Sequence, residues 1–178
     1  SEMCIRDRAY SERQGVDAVT TFPAFAEQLD ALRDETLAAA PNERVRRVMG
    51  ARVNQTIESM RAGASTWRVR QQRVAAVGAQ EGAAGQAIAN GVIARDSPEM
   101  LQVRLREGEA AVRQIGALQG WAPEALAQGL AQYRGRFYSG VIDSVINSDP
   151  LRAQRLFTAV RDQHDAHSQV RHEDRIRG

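Results

Sequence analysis

Val53-Asn-Gln-Thr-Ile57-Glu-Ser-Met60-Arg-Ala-Gly-Ala64-Ser-Thr-Trp67-Arg-Val-Arg-Gln71-Gln-Arg-Val74 is the stretch that decides the fold class. Positions 53, 57, 60, 64, 67, 71 and 74 follow one another in alternating steps of four and three. At 3.6 residues per turn this spacing places them on one face of a helix. The rhythm is heptad-like, so the face expects a partner helix. Val53, Ile57, Met60, Trp67 and Val74 are therefore the expected partner-packing seam, buried against other helices or a second copy. No proline interrupts residues 42–93, so the spacing predicts one long helix from near Pro41 to about Ile93. Its periodicity weakens over 75–94, where Gly78, Gly82, Gly85 and Gly91 occur. Each glycine costs a helix about 1 kcal/mol relative to alanine. This part reads as a closely packed stretch or a hinge.

Outward from the seam, proline marks the other helices. Pro is favoured in a first helical turn, where its missing N–H is no loss. Pro23, Pro41, Pro98, Pro123 and Pro150 each open an apolar-periodic stretch. Ser97 and Asp149 stand before two of them as N-caps, and Gly120 is placed to end a helix. The stripes Phe22–Phe25–Leu29–Leu32–Leu37, Leu101–Leu105–Val112–Ile115 and Leu126–Leu130–Tyr133–Phe137–Val141–Val145 predict helices over about 21–40, 98–118 and 123–147. A last helix starts at Pro150 with Leu151, Leu156, Phe157 and Val160. No stretch alternates with period two, so no strand is placed. The expected fold is all-α, with elongated antiparallel helices around one long heptad-like helix. Short links between the last three helices favour antiparallel neighbours. Residues 1–20 are expected to be a disordered start, 21–160 one helical segment, and 161–178 a polar fraying tail.

Composition supports this reading. Hydrophobic residues make up 43% of the chain and aromatics only 5%, so alanine supplies much of the apolar surface. Alanine buries little area, which favours helices packed through small residues over a large-residue core. All 24 basic residues are arginine, and the formal net charge is +2. The charge is unevenly spread. Residues 42–73 carry eight arginines against Glu43 and Glu58, a net +6, and residues 80–109 carry five acids and three arginines. Cys4 is the only cysteine, so no internal disulfide forms. No apolar run reaches the length of a membrane span, and the first twenty residues are too polar for a secretory signal. Residues 1–8, Ser-Glu-Met-Cys-Ile-Arg-Asp-Arg, look like translated sequencing adapter and stand outside the fold argument.

Candidate chemistry is thin. His164, His167 and His172 lie among Asp162, Asp165, Glu173 and Asp174. On a helix His167 falls about 60° to one side of His164 and His172 about 80° to the other, which does not converge on a metal. A solvated helix end is the expected reading, with no metal and no cofactor. The glycines at 78–85 follow no strand and lack the phosphate-loop pattern. No serine or carboxylate is marked as a nucleophile–base set, so no enzyme is expected. Arg44, Arg46, Arg47, Arg52, Arg61, Arg68, Arg70 and Arg73 are candidate nucleic-acid contacts, with Trp67 available for stacking. The competing reading is a solvated charged face opposite the seam, with Trp67 in the core, and no DNA binding at physiological salt is the expectation. The Ala/Gly-rich run 74–94 is expected to pack tightly rather than span a membrane, since Gln80, Glu81, Gln86 and Asn90 interrupt it.

Two parts of the chain resemble the helical segments of internal, or ejection, virion proteins of tailed bacteriophages. One is the Val/Gln/Ala/Arg-rich helix over 45–95. The other is Gly120-Trp121-Ala122-Pro123-Glu124-Ala125, then Tyr133 to Ile146, then Asp149-Pro150-Leu151-Arg152-Ala153. Such proteins often carry a peptidoglycan transglycosylase domain elsewhere, and no motif of that domain is present here. The resemblance implies a structural role: storage in the virion, release into the host envelope, and packing against other virion proteins or itself. It implies a virion location after synthesis in the host cytoplasm. Two other expectations are a helical adaptor or coiled-coil module of a bacterial protein, in the bacterial cytoplasm, and an accessory region of a lytic transglycosylase. Deleting residues 1–8 is expected to leave the thermal midpoint unchanged, and a large drop in melting temperature would show that the segment packs.

Overall fold

The computed structural model describes residues 9–161, which are all-α with no strand among them. A helical turn at residues 9–11 precedes five helices. These are α1 (Gly15–Ala38), α2 (Glu43–Ile93), α3 (Pro98–Gln119), α4 (Pro123–Val145) and α5 (Pro150–Val160). The expected long helix is α2, at 51 residues. The expectations for His164, His167, His172 and the rest of the polar tail beyond Arg161 lie outside the described residues, as does the start of the chain before Ala9. The chain divides into two compact units between Ala76 and Val77, inside α2.

The first unit is an antiparallel pair of α1 with the first half of α2. Asp30 meets Arg61 at 2.7 Å, and the Gly15 N–H donates to Gln71 Oε1 at 2.7 Å. Along this pair Phe25, Leu29, Val53, Ile57 and Ala64 are buried, with Met60 and Trp67 packed partly against them. Helix α1 begins six residues earlier than the apolar stripe predicts. Gly15, at φ +56°, lets the chain turn back, so that Tyr10 stacks on Phe25 at 4.4 Å between centroids. The Tyr10 hydroxyl donates to the Ala18 carbonyl at 2.7 Å, and Ala18 is fully buried. Pro23 consequently lies inside α1 instead of opening it. One lost backbone bond is tolerated there because Phe25 and Leu29, on the turns that follow, are anchored in the core. Helix α2 opens at Glu43, with Asn42 Oδ1 accepting from the Val45 N–H at 2.9 Å; Pro41 stands just outside.

In the second unit α3 and α4 run antiparallel, since Gln102 bonds Tyr138 while Glu109 bonds Arg134. Helix α4 runs parallel to the end of α2, as Tyr133 reaches Ala84 and Phe137 meets Gly91. Ser97 caps α3 through the Met100 N–H, and Asp149 caps α5 through the Arg152 N–H. Gly120 takes a left-handed φ of +69°, and the Trp121 N–H returns to the Gly116 carbonyl at 2.8 Å, closing the end of α3. The largest fully buried side chains are Tyr133 and Phe137, seated where glycine removes a side chain. A Cβ on Gly91 would lie 2.6 Å from Phe137 Cζ, and one on Gly108 would lie 1.6 Å from Tyr133 Oη. Burying a phenylalanine ring contributes about 1.5–3 kcal/mol. Burial also pushes the Tyr133 phenol up to about 12, so it stays a neutral donor to the Ala84 carbonyl at 3.2 Å.

Gly108→Ala therefore has to displace the Tyr133 ring and its hydrogen bond. It is expected to cost about 3 kcal/mol, as overpacking of a tight core does. Gly82→Ala is the internal control, because nothing lies within 4 Å of a Cβ there. It is expected to leave stability unchanged or raise it by up to about 1 kcal/mol through helix propensity. Denaturant midpoints of the two variants check this, and equal stability for Gly108→Ala and the parent chain would contradict it.

Candidate interaction surface

The seam and the arginines occupy different sides of α2, and their local partners decide what each can do. Val53 and Ile57 are buried against α1; Met60 and Trp67 are half-buried at its edge. Trp67 donates its indole N–H to the Arg13 carbonyl at 2.9 Å, so one edge of the ring stays at the surface. Gln71, at a seam position, is buried and satisfied by the Gly15 N–H. Val74 differs from the expectation of burial: it is 56% exposed. Helix α1 begins at Gly15, level with Gln71, so the described partner helix ends one turn short of Val74. The heptad rhythm continues in the sequence, but the surface that would cover it does not.

The eight arginines do not act as one patch. Arg46 pairs with Glu43 at 3.2 Å and also donates to the Leu37 carbonyl. Arg61 pairs with Glu58 at 3.1 Å and with Asp30 across the helix pair. The Arg68 guanidinium lies 4.6 Å from the Phe22 ring centroid and covers it. These three serve the fold. Arg70 stands 6.0 Å from the Trp67 ring, and among the described residues Arg44, Arg47, Arg52, Arg70 and Arg73 have no carboxylate partner.

The second unit holds features that period and spacing do not reveal. Glu109 is buried between α3 and α4, where Arg113 and Arg134 both donate to it. Arg113 comes from the same helix one turn on, and only the approach of α4 supplies the second arginine. Such a pair costs desolvation and is retained where it fixes how two helices register. An open groove of about 480 Å³ lies beside Leu101, Tyr138, Leu156 and Val160, with Arg152 and Arg155 at its edge. Among the described residues no three His, Cys, Asp or Glu side chains converge as metal ligands. No described helix is long and apolar enough to cross a membrane. Comparison with known proteins finds no matching family model, curated protein or solved structure.

A closed core around Trp67 would make Trp67→Ala cost about 3–5 kcal/mol. At a half-buried ring the expected loss is nearer to 2 kcal/mol. Chemical denaturation measures it, and a neutral result would contradict packing against α1. Fluorescence anisotropy with duplex DNA is expected to show no measurable binding at physiological salt. Binding that weakens steeply with salt would instead mark the unpaired arginines as phosphate contacts.

Proposed function

We propose that the chain is a non-enzymatic structural and assembly segment of a tailed-bacteriophage internal virion protein that takes part in genome ejection. One observation carries this reading. In the second of the two parts that resemble that family, the distinctive residues pack and cap the helices of the second unit. Trp121 lies against Gly116 and Gly129, Pro123 opens α4, Tyr133 and Phe137 fill the core, and Asp149 caps α5. A stretch whose distinctive residues all serve packing and capping suits a part that is stored, released and assembled. The same residues would be spent differently around a substrate.

The test uses purified phage particles and the genes that flank the coding sequence. Peptides of this chain are expected in DNA-containing particles, with capsid, portal and terminase genes beside its coding sequence. The purified chain is expected to release no soluble fragments from peptidoglycan. Recovery of the chain only in bacterial cytoplasm, without those neighbours, would replace this reading with a bacterial adaptor. Release of peptidoglycan fragments would overturn the non-enzymatic part of it.

A further inference from the structure

The first unit presents two outward faces of opposite charge. On α2, Val48, Val69 and Arg73 lie within roughly 60° of Arg44 about the helix axis, opposite Val53 and Ala64. Val48 is 75% exposed and Val69 52% exposed, and the arginines without carboxylate partners border them. Arg44 and Arg73 are separated by about 43 Å at 1.5 Å per residue, so the face is long. On α1, Val16, Glu27 and Asp34 lie opposite the buried Ala18, and Val16 is 65% exposed. Helix α1 carries Asp17, Glu27, Asp30, Asp34 and Glu35 against Arg33 alone. Glu27 and Glu35 have no ion pair among the described residues.

The arginine face rejects itself. An antiparallel pairing that sets Val48 against Val69 also sets Arg44 against Arg73 and Arg47 against Arg70, and like charges there are repulsive. It needs an acidic surface, and α1 supplies one in the matching register. Inside the unit, α1 and α2 pair so that residue numbers sum to about 86–91, as in Gly15 with Gln71 and Asp30 with Arg61. The same register applied between the outer faces puts Asp17 opposite Arg70 and both Asp34 and Glu35 opposite Arg52, with Val16 beside Val69; within the chain Asp17 also pairs with Arg13 and Asp34 with Arg33.

We propose that the outer face of α1 in one copy docks on the arginine-bearing outer face of α2 in a second copy. The valines make the apolar contact, and the acids of α1 meet Arg52 and Arg70. The two patches differ, so the contact is heterologous and can continue from copy to copy. Exposed ion pairs contribute little singly, so this is a weak, salt-sensitive association in which charge sets partner and register. The inference rests on the assembly reading and names the surface that assembles.

Sedimentation of the full chain tests it, with charge reversals on each face. None of the four residues changed has an intramolecular ion pair among the described residues, and circular dichroism confirms folding. The parent chain is expected to self-associate at low salt and to dissociate as salt rises. Arg52→Glu with Arg70→Glu is expected to weaken self-association by roughly tenfold or more, and so is Glu27→Arg with Glu35→Arg. Mixing the two variants is expected to restore it, because each then offers the other a complementary face. A parent chain that stays monomeric, a reversed variant that still associates, or a mixture that fails to recover would each overturn the proposal. So would duplex DNA binding at physiological salt that the arginine variant loses while its self-association is unchanged. Absence of the chain from virions would overturn the virion reading and leave this interface standing, so the two failures are distinguishable.

Discussion

Tyr133 over Gly108 is the contact on which the second unit depends. Its ring occupies the space a side chain at 108 would fill, and its hydroxyl crosses to the Ala84 carbonyl on α2. One residue of α4 thus joins three helices. Phe137 repeats the device at Gly91, while Trp121 lies against Gly129 at the surface, 36% exposed. The constraint is compositional. A chain with few aromatics and much alanine has little large apolar surface to bury, so each ring must be used fully. Glycine opposite a ring lets the helices approach until the ring is enclosed on both sides, which raises dispersion contact per side chain. The same economy appears in the first unit, where Tyr10, Phe22 and Phe25 cluster at one end of the α1–α2 pair.

This explains which parts of the fold were legible in the sequence. The length of α2 could be read because four-and-three spacing is a property of one helix. The starts of α3, α4 and α5 could be read because a first-turn proline acts locally at each, joined at α3 and α5 by a capping side chain. The start of α1 could not, since Val16 and Asp17 carry no apolar stripe and the turn is stabilised by Tyr10 from a preceding segment. Pro23 misleads for a related reason. Its local preference for a helix start is overridden by anchors on both sides that only tertiary contact creates. The glycines of α2 look alike in sequence, yet Gly91 faces Phe137 while Gly78, Gly82 and Gly85 face open space.

The candidate surface was legible to a similar depth. The excess of arginine over 42–73 is plain from composition, but its division into fold-serving and free groups is not. Arg61 is drawn to Asp30 from 31 positions away, and Arg68 finds Phe22. Once these are subtracted, the remaining arginines face away from α1, whose own exterior is acidic. A helix pair polarised in this way is an asymmetric part, basic on one side and acidic on the other. Asymmetry of that kind suits repeated assembly better than a closed two-fold dimer.

The enclosed phenol gives the most direct test of the packing account. The chain has three tyrosines, and carbon-13 labelling of their ζ carbons lets each ionisation be followed separately by NMR. In the folded chain burial holds the Tyr133 proton, so its transition is expected near 12, against about 10 for the unfolded chain. The folded state then binds more protons than the unfolded state between those values, and its stability falls as pH rises through them. A Tyr133 transition near 12, with stability declining above pH 10, is the result this account predicts. Ionisation of Tyr133 near 10 in the folded chain would show that water reaches the ring, and the glycine-seated core would be wrong.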